Sequence, residues 1–216
     1  EVRNAPYVAG MRDRHIAAGA DMQVYVKGLE KGAAGRYSIV HAGEALVDPD
    51  NGRELGFMGL YSATVRIEPT GSELSRAYLL ESARETIKGD LVFAEEPTRI
   101  AEDIIPRAPP EDTQGRIIGI YNGVFLVGQY NVVAINRGER NGLAVGHVLA
   151  IDQRGMEIRD WGCYRTRVAS CFNRTVTLPD ERAGTLLVFK TFDRMSYGLV
   201  VNATAEMRVG DWVRAP

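Results

Sequence analysis

Residues 79–92 read LLESARETIKGDLV, and residues 200–213 read VVNATAEMRVGDWV. The two stretches align at a constant offset of 121 positions, with Glu, Gly, Asp and the final Val identical. Residues 35–40 (GRYSIV) and 146–151 (GHVLAI) align in the same way at an offset of 111. Self-similarity of this kind indicates a duplicated structural unit. The sequence therefore predicts two copies of one module, the second about ten residues longer between these anchors.

Short segments rich in Val, Ile and Tyr alternate with turn residues along most of the chain. The 23 Gly and 9 Pro exceed average usage and favour many short elements joined by turns. The best helical candidate is residues 98–105. The segments predicted as strands are residues 22–26, 37–40, 63–67, 77–80, 91–94, 116–120, 130–135, 147–151, 186–190, 197–201 and 211–213. We expect an all-β fold with little helix, built as two tandem small β-barrels or sandwiches.

The segment 95–113 separates the two copies. It contains four prolines and six acidic residues, a composition typical of an extended linker. We therefore predict a first β module at 1–94 with an N-terminal arm, and a second at 114–216. The extra length of the second copy is assigned to an insertion at 153–175.

Overall charge excludes some partners. With 26 basic and 28 acidic residues the formal net charge is −2, so no general attraction to nucleic acid is expected.

No run approaches the roughly 18 apolar residues that a membrane helix needs. The chain begins at Glu1 without Met or a signal-peptide pattern, and we interpret it as a piece of a longer protein.

Two cysteines, Cys163 and Cys171, lie inside the insertion. A zinc site would need further ligands at short spacing, and none of the three histidines is near them in sequence. A local disulfide is expected, which would imply an oxidising compartment such as a periplasm. Two free buried thiols remain the alternative.

The inventory of catalytic side chains is small. His147 lies at a repeat position that Arg36 occupies in the first copy, which favours a structural role there, and a structural or surface role is also favoured for His15 and His41. The string DPDNG at 48–52 lacks the later Gly and Glu of a calcium loop and is predicted as a hairpin with a primed turn. We therefore expect no catalytic, cofactor-binding or metal-binding residue.

The insertion has the composition of a contact surface. Between residues 153 and 175 there are five Arg against two acidic residues, with three aromatic side chains interleaved. Arg and aromatic residues are enriched at interface hot spots. The candidate partner-binding residues are Arg159, Trp161, Tyr164, Arg165, Arg167 and Phe172. The alternatives are a solvated insertion whose aromatic residues cover one end of their own barrel and, with less support, a nucleic-acid site.

Several longer strings form a recognisable set. The most specific are LPDERAG at 178–184 and FDRMSY at 192–197, and others are VDPDNG at 47–52, GRII at 115–118, INRG at 135–138 and GHVL at 146–149. Together they resemble the C-terminal region of a family of bacterial LysM-containing proteins that includes the secretin-associated proteins of type IV pili. The resemblance covers nearly all of the chain, but the segment with both cysteines matches no string of the family.

This resemblance implies a non-enzymatic, periplasmic accessory role. Members of the family carry a LysM module that binds peptidoglycan, followed by a region similar to the C-terminal domain of the flagellar protein FlgT. They associate with the outer-membrane secretin of type IV pili as a peripheral ring of several copies. No LysM-like segment is visible in this sequence, so peptidoglycan binding is assigned to no residue here. The alternatives are a flagellar basal-body ring component and a periplasmic carbohydrate-active hydrolase. The hydrolase would need two suitably spaced carboxylates, for which the sequence has no signature.

Overall fold

The computed structural model describes residues 4–68, 73–95, 104–122, 126–160 and 174–216. These residues form an almost entirely β structure with two closed six-stranded barrels, which confirms the predicted fold class. Most of the predicted helix at 98–105 lies outside the described residues, and Ile104 and Ile105 have irregular backbone. None of the described residues form a helix long and apolar enough to cross a membrane.

The first barrel closes where Tyr7 pairs with Leu91. Its strands are β1 (Tyr7–Met11), β3 (Gln23–Lys27), β4 (Gly35–Val47), β5 (Glu54–Glu68), β6 (Leu74–Ser82) and β8 (Leu91–Ala94). They adjoin in the order β1-β3-β6-β5-β4-β8. Two short strands, β2 (Ala17–Ala18) and β7 (Thr86–Ile87), form a separate pair.

The second barrel repeats this winding. Its strands are β9 (Gln114–Ile120), β10 (Val132–Ile135), β11 (Val148–Gln153), β14 (Glu181–Thr191), β15 (Ser196–Ala203) and β16 (Trp212–Arg214). They adjoin in the order β10-β15-β14-β11-β16-β9. When the six strands of each barrel are numbered by their order along the chain, the neighbours around both closed barrels follow the order 1-2-5-4-3-6. The two copies therefore share their topology as well as their sequence pattern. Two further strands, β12 (Glu157–Arg159) and β13 (Thr175–Thr177), lie between β11 and β14.

The chain divides into two compact units. The first comprises Glu1–Ala45 and Gly56–Glu102, and the second comprises Leu46–Leu55 and Asp103–Pro216. The tip of the hairpin between β4 and β5 therefore belongs to the second unit, although the sequence placed it in the first module. The later part of the predicted linker is also bonded within the second unit, since the N–H of Arg107 donates to the Gly146 carbonyl (2.9 Å) and the Arg107 carbonyl accepts from Val148 N–H (3.0 Å).

Alternation along the strands fills each barrel with apolar side chains. Val24 and Val26 of β3 are fully buried in the first core, and Leu186 and Val188 of β14 are fully buried in the second. Burial of one such side chain stabilises a fold by about 1.5–3 kcal/mol relative to its exposure. Leu143, in the loop before β11, is also buried in the second core.

The sequence predicted an N-terminal arm, but residues 7–11 form β1, a strand of the first barrel. Val8 is fully buried, and its N–H donates to the Asp90 carbonyl at 2.8 Å. In the second barrel Ile117 donates to the Asp211 carbonyl at 3.0 Å in the same way. The sequence around β1 resembles that of β9 in little more than Gly10, which matches Gly119. Tertiary packing therefore defines this strand more than its local sequence does.

The turn before the last strand of each barrel is the same in both copies. Gly89 and Gly210 have φ of 93° and 99°, a region that favours glycine. The next residue in each copy caps the turn: an Asp90 carboxylate oxygen accepts the Ile87 N–H at 2.9 Å, and an Asp211 oxygen accepts the Arg208 N–H at 2.7 Å. The two copies therefore share both the backbone conformation and the capping carboxylate of this turn.

The prediction of a primed turn at 50–52 was wrong. Such a turn needs positive φ at both central residues, and in this loop only Gly52 has it, with φ 71°. The N–H of Gly52 donates to the Asp48 carbonyl at 2.8 Å, and the Asp48 side chain accepts the Asp50 N–H at 3.1 Å. This side-chain capping favours a wider loop over the two-residue turn.

Candidate interaction site

Most of the predicted contact residues fall outside the described part of the chain. These residues are Trp161, Tyr164, Arg165, Arg167 and Phe172, together with Cys163 and Cys171 of the predicted disulfide. Arg159 is described, and it is the last residue of β12. The candidate site is therefore built from β12 and β13, the two strands that flank the undescribed segment.

Strands β12 and β13 form an antiparallel pair that we call the β12–β13 hairpin. Glu157 pairs with Thr177, Ile158 with Val176, and Arg159 with Thr175. Among the described residues this pair forms a sheet of its own, and all six side chains are exposed. An isolated two-stranded sheet is only marginally stable in water, so the contacts at the base of this hairpin are important for it.

The two faces of the β12–β13 hairpin differ in chemistry, because successive side chains on a strand point to opposite sides. One face is apolar and consists of Met156, Ile158, Val176 and Leu178, which are between 42 and 63 % exposed. The N–H of Leu178 donates to the Met156 carbonyl at 3.0 Å and extends the pairing by one rung. The other face is polar and consists of Glu157, Arg159, Thr175 and Thr177. The hairpin thus offers one apolar and one polar surface.

This hairpin corresponds to the tip between β4 and β5 in the first copy. At the offset of 111, β12 matches residues 46–48, and at the offset of 121, β13 matches residues 54–56. The extra ten residues of the second copy therefore lie between β12 and β13, within the predicted insertion. Both copies elaborate the same strand connection.

Two carboxylates hold the base of the β12–β13 hairpin. One Asp180 oxygen accepts the Gly155 N–H at 3.1 Å, and the other accepts a bond from Arg214 at 2.7 Å. The Gly155 N–H, and then Arg214, lower the pKa of Asp180. An Asp211 oxygen accepts the Arg154 N–H at 3.0 Å. A Cβ at Gly155 would lie 1.7 Å from the Leu178 carbonyl oxygen, so this position requires glycine.

A second polar cluster surrounds the loop at 48–53, which belongs to the second unit. Asn136 is buried, and its Nδ2 donates to Asp48 at 2.7 Å and to Asp50 at 3.0 Å. Its Oδ1 accepts the Arg116 N–H at 2.6 Å. Arg137 donates to the same Asp50 oxygen at 3.0 Å. The cluster therefore pairs two carboxylates with one buried amide and one guanidinium.

Burial opposes ionisation of Asp48, but the pKa of its carboxyl is lowered overall. The hydrogen bonds from Asn136, from the Asp50 N–H and from Asn51 outweigh the desolvation. Sequence reasoning missed this cluster, because Asp48 and Asn136 lie 88 positions apart. The two residues lie in the strings VDPDNG and INRG, and nothing in either string indicates that it contacts the other.

The histidines have separate environments. His147 is buried, and its Nδ1 accepts the Ala144 N–H at 3.2 Å, while burial and then the nearby Arg107 lower its pKa. The Nδ1 of His41 lies 2.7 Å from a carboxylate oxygen of Asp90, and His15 is exposed. His41 and His147 each have a polar contact within their own unit.

Within the described ranges, no group of three or more His, Cys, Asp or Glu side chains is arranged to hold a metal ion.

Comparison of the chain with protein-family models and with curated proteins found no match.

Proposed function

We propose that this chain is part of a non-enzymatic periplasmic accessory protein that binds the outer-membrane secretin of type IV pili. Several copies would surround the secretin as a peripheral ring. A LysM module outside this chain would link the assembly to peptidoglycan. The proposal rests on the resemblance of the strings at 178–184 and 192–197 to the secretin-associated family, and on the exposed β12–β13 hairpin.

The polar face of the β12–β13 hairpin is the surface proposed to contact the secretin. Arg159 projects from it next to Thr175, and both side chains are exposed. The segment 153–175 has a net charge of +3 in sequence, which favours an acidic partner. Arg residues contribute strongly at such interfaces, because the guanidinium makes several directed hydrogen bonds.

The strings that carry the resemblance make packing contacts within the second barrel. Asp180, within LPDERAG, holds the base of the hairpin through the Gly155 N–H. Gly138, within INRG, packs so closely on FDRMSY that a Cβ there would lie 2.3 Å from the Phe192 carbonyl oxygen. These contacts give each of the strings a role in the packing of the second barrel.

Affinity purification tests the proposal. The full-length protein that contains this chain is tagged in cells that make type IV pili, and envelopes are solubilised in mild detergent. We expect the secretin to co-purify, and we expect Arg159→Glu to reduce its recovery by about tenfold, the scale of one interface hot spot. The matched control is Arg66→Glu, a charge reversal on an exposed position of β5.

The outcomes separate the alternatives. Recovery of flagellar ring proteins in place of the secretin would replace the proposal with the flagellar one. Recovery of neither would overturn both. Equal loss of the secretin with Arg159→Glu and Arg66→Glu would show that the polar face of the hairpin is not the contact.

A further inference from the structure

The connection between the first two strands of each barrel has the same unusual backbone in both copies. At the offset of 109, at which Gly10 of β1 matches Gly119 of β9, position 13 matches 122 and position 21 matches 130. Among the described residues, the non-glycine residues with positive φ are Asp13, Asp21, Asn122 and Tyr130, with φ of 58°, 64°, 77° and 68°. The two copies therefore share a left-handed conformation at both positions.

The second of these positions lies in a turn whose hydrogen bonds are also repeated. The N–H of Asp21 donates to the Leu79 carbonyl at 3.0 Å, and the N–H of Tyr130 donates to the Val200 carbonyl at 2.7 Å. Leu79 and Val200 match at the offset of 121. We call residues 128–131 of the second copy the Tyr130 turn. The two copies thus have one turn structure with a different side chain at the left-handed position.

Tyrosine is an unfavourable residue for this position. Asp and Asn adopt positive φ several times more readily than other non-glycine residues, and a bulky side chain there is strained. Packing within the barrel does not explain the tyrosine, because Tyr130 is 71 % exposed. Strain that the fold itself does not require points to a functional position. Since Asp21 occupies the same turn in the first barrel, we infer that the Tyr130 ring makes a contact outside its own barrel.

Two more exposed apolar side chains accompany Tyr130. Leu126 and Val209 flank the bridge that joins the β9–β10 connection to the β15–β16 connection, and they are 45 and 54 % exposed. The first copy has Ala17 and Lys88 at the matching positions. A barrel of this topology therefore folds without a large apolar side chain at any of the three positions, and the second copy has one at each.

This surface lies at the end of the second barrel that carries the β12–β13 hairpin. The Tyr130 turn is bonded to Val200 near the end of β15. Ala203, the last residue of β15, pairs with Gly184 near the beginning of β14, the next strand after the hairpin. The Tyr130 turn and the polar face of the hairpin are therefore placed to meet the same partner.

The charges around Tyr130 do not favour a membrane surface. Residues 126–131 carry no charge. On the β15–β16 connection, Arg208 is paired with Glu206 at 3.6 Å. Attraction to an anionic lipid surface depends on an excess of basic side chains, which these two connections lack in the described residues.

The amides beside the ring are already engaged. The Nε2 of Gln129 donates to the Val201 carbonyl at 3.0 Å, and the Oδ1 of Asn131 accepts the Gly128 N–H at 2.7 Å. Few polar groups therefore remain to bind the hydroxyls of a sugar. An exposed tyrosine with uncharged apolar neighbours is typical of an anchor that fills an apolar pocket on a protein partner.

We propose that Tyr130 inserts into an apolar pocket on the type IV pilus secretin, with Leu126 and Val209 packed around the rim of that pocket. This inference deepens the proposed function and rests on it for the identity of the partner. The strain at Tyr130 is a property of the chain itself and is measured without the partner.

Thermal unfolding of the purified chain tests the strain. Tyr130→Asn is expected to raise the melting temperature by about 2–4 °C, because Asn adopts positive φ at lower cost than Tyr. Asp21→Asn is the matched control in the equivalent turn and should leave the melting temperature nearly unchanged. A melting temperature that Tyr130→Asn leaves unchanged or lowers would overturn the argument from strain.

Recovery of the secretin with the tagged full-length protein tests the contact. Tyr130→Asn is expected to reduce recovery about tenfold, and Tyr130→Phe, which keeps the ring, is expected to reduce it much less. The control is Ile105→Asn, which replaces another apolar side chain of the second unit that is 75 % exposed. Because Tyr130→Asn is expected to stabilise the fold, its loss of recovery cannot come from unfolding.

The outcomes separate this inference from the proposed function. Wild type that recovers no secretin would overturn both, whereas equal recovery with wild type and Tyr130→Asn would overturn this inference alone. Co-sedimentation of the wild-type chain with vesicles of phosphatidylethanolamine and phosphatidylglycerol, or with insoluble peptidoglycan, that Tyr130→Asn abolishes would assign the ring to those ligands and overturn the protein pocket.

Discussion

The Nδ2 of Asn136 donates hydrogen bonds to Asp48 at 2.7 Å and to Asp50 at 3.0 Å, across 88 and 86 positions of sequence. Its Oδ1 simultaneously accepts the Arg116 N–H. One buried amide therefore satisfies groups from the loop at 48–53 and from β9. A buried polar group that loses its hydrogen-bond partner destabilises the folded state, so we expect Asn136 to contribute strongly to the stability of the second unit.

Asn136→Ala should lower the free energy of unfolding of the second unit by about 2–3 kcal/mol, since it removes one hydrogen bond to the Asp48 carboxylate and one to Asp50, and leaves the Arg116 N–H without its side-chain acceptor. Urea unfolding followed by tryptophan fluorescence measures this, because Trp161 and Trp212 both belong to the second unit. The control is Asn202→Ala at an exposed position, which should change stability by less than about 0.5 kcal/mol. A double-mutant cycle with Asp48→Ala should give a coupling of about 1 kcal/mol or more. Additive effects would contradict the direct bond.

His147 should make stability depend on pH. Burial and then Arg107 lower its pKa in the folded state, so the unfolded chain binds a proton more readily. The stabilising contribution of neutral His147 is present above its unfolded pKa of about 6.5 and is lost as the pH falls from there toward the lower folded pKa. The measurement is the difference in unfolding free energy between about pH 7.5 and about pH 5.5. His147→Asn, whose side-chain oxygen can still accept the Ala144 N–H, should reduce this difference. An unchanged difference would show that His147 is not its source.

Gly155→Ala should destabilise the base of the β12–β13 hairpin by about 1–3 kcal/mol, the usual cost of forcing extra atoms into a packed site. The new Cβ would meet the Leu178 carbonyl oxygen at 1.7 Å. Thermal unfolding measures the effect. Gly19→Ala is the control, because no atom lies within 4 Å of a Cβ at that position. If the two variants melt at the same temperature, the close approach at Gly155 is wrong.

The duplicated architecture could be predicted from the sequence because the repeat anchors coincide with turns whose conformation depends on specific residues. The Gly-Asp pairs at 89–90 and 210–211 need positive φ and a capping carboxylate, and few other residues satisfy both requirements. Strand β1 was missed because its backbone bonds and the burial of Val8 come from distant strands. Its own sequence resembles that of β9 too little to align.

The candidate site was predictable only in part. Arg159 was identified from composition, and the structure places it on an exposed polar face. The apolar face opposite went unrecognised, because its four residues come from two short strands separated by the insertion. The primed turn failed because the Asp48 side chain caps its own loop. Asn136 could not be foreseen, since its bonds to Asp48 and Asp50 depend on tertiary packing.

Site-specific photo-crosslinking in living cells tests the proposed secretin contact most directly. A photoreactive amino acid replaces Arg159 on the polar face of the β12–β13 hairpin or, as a control, Arg66 on β5. We predict a covalent adduct with the type IV pilus secretin from position 159 and none from position 66. Absence of a secretin adduct at position 159 in a protein produced at its normal level, or equal adducts at both positions, would contradict the account.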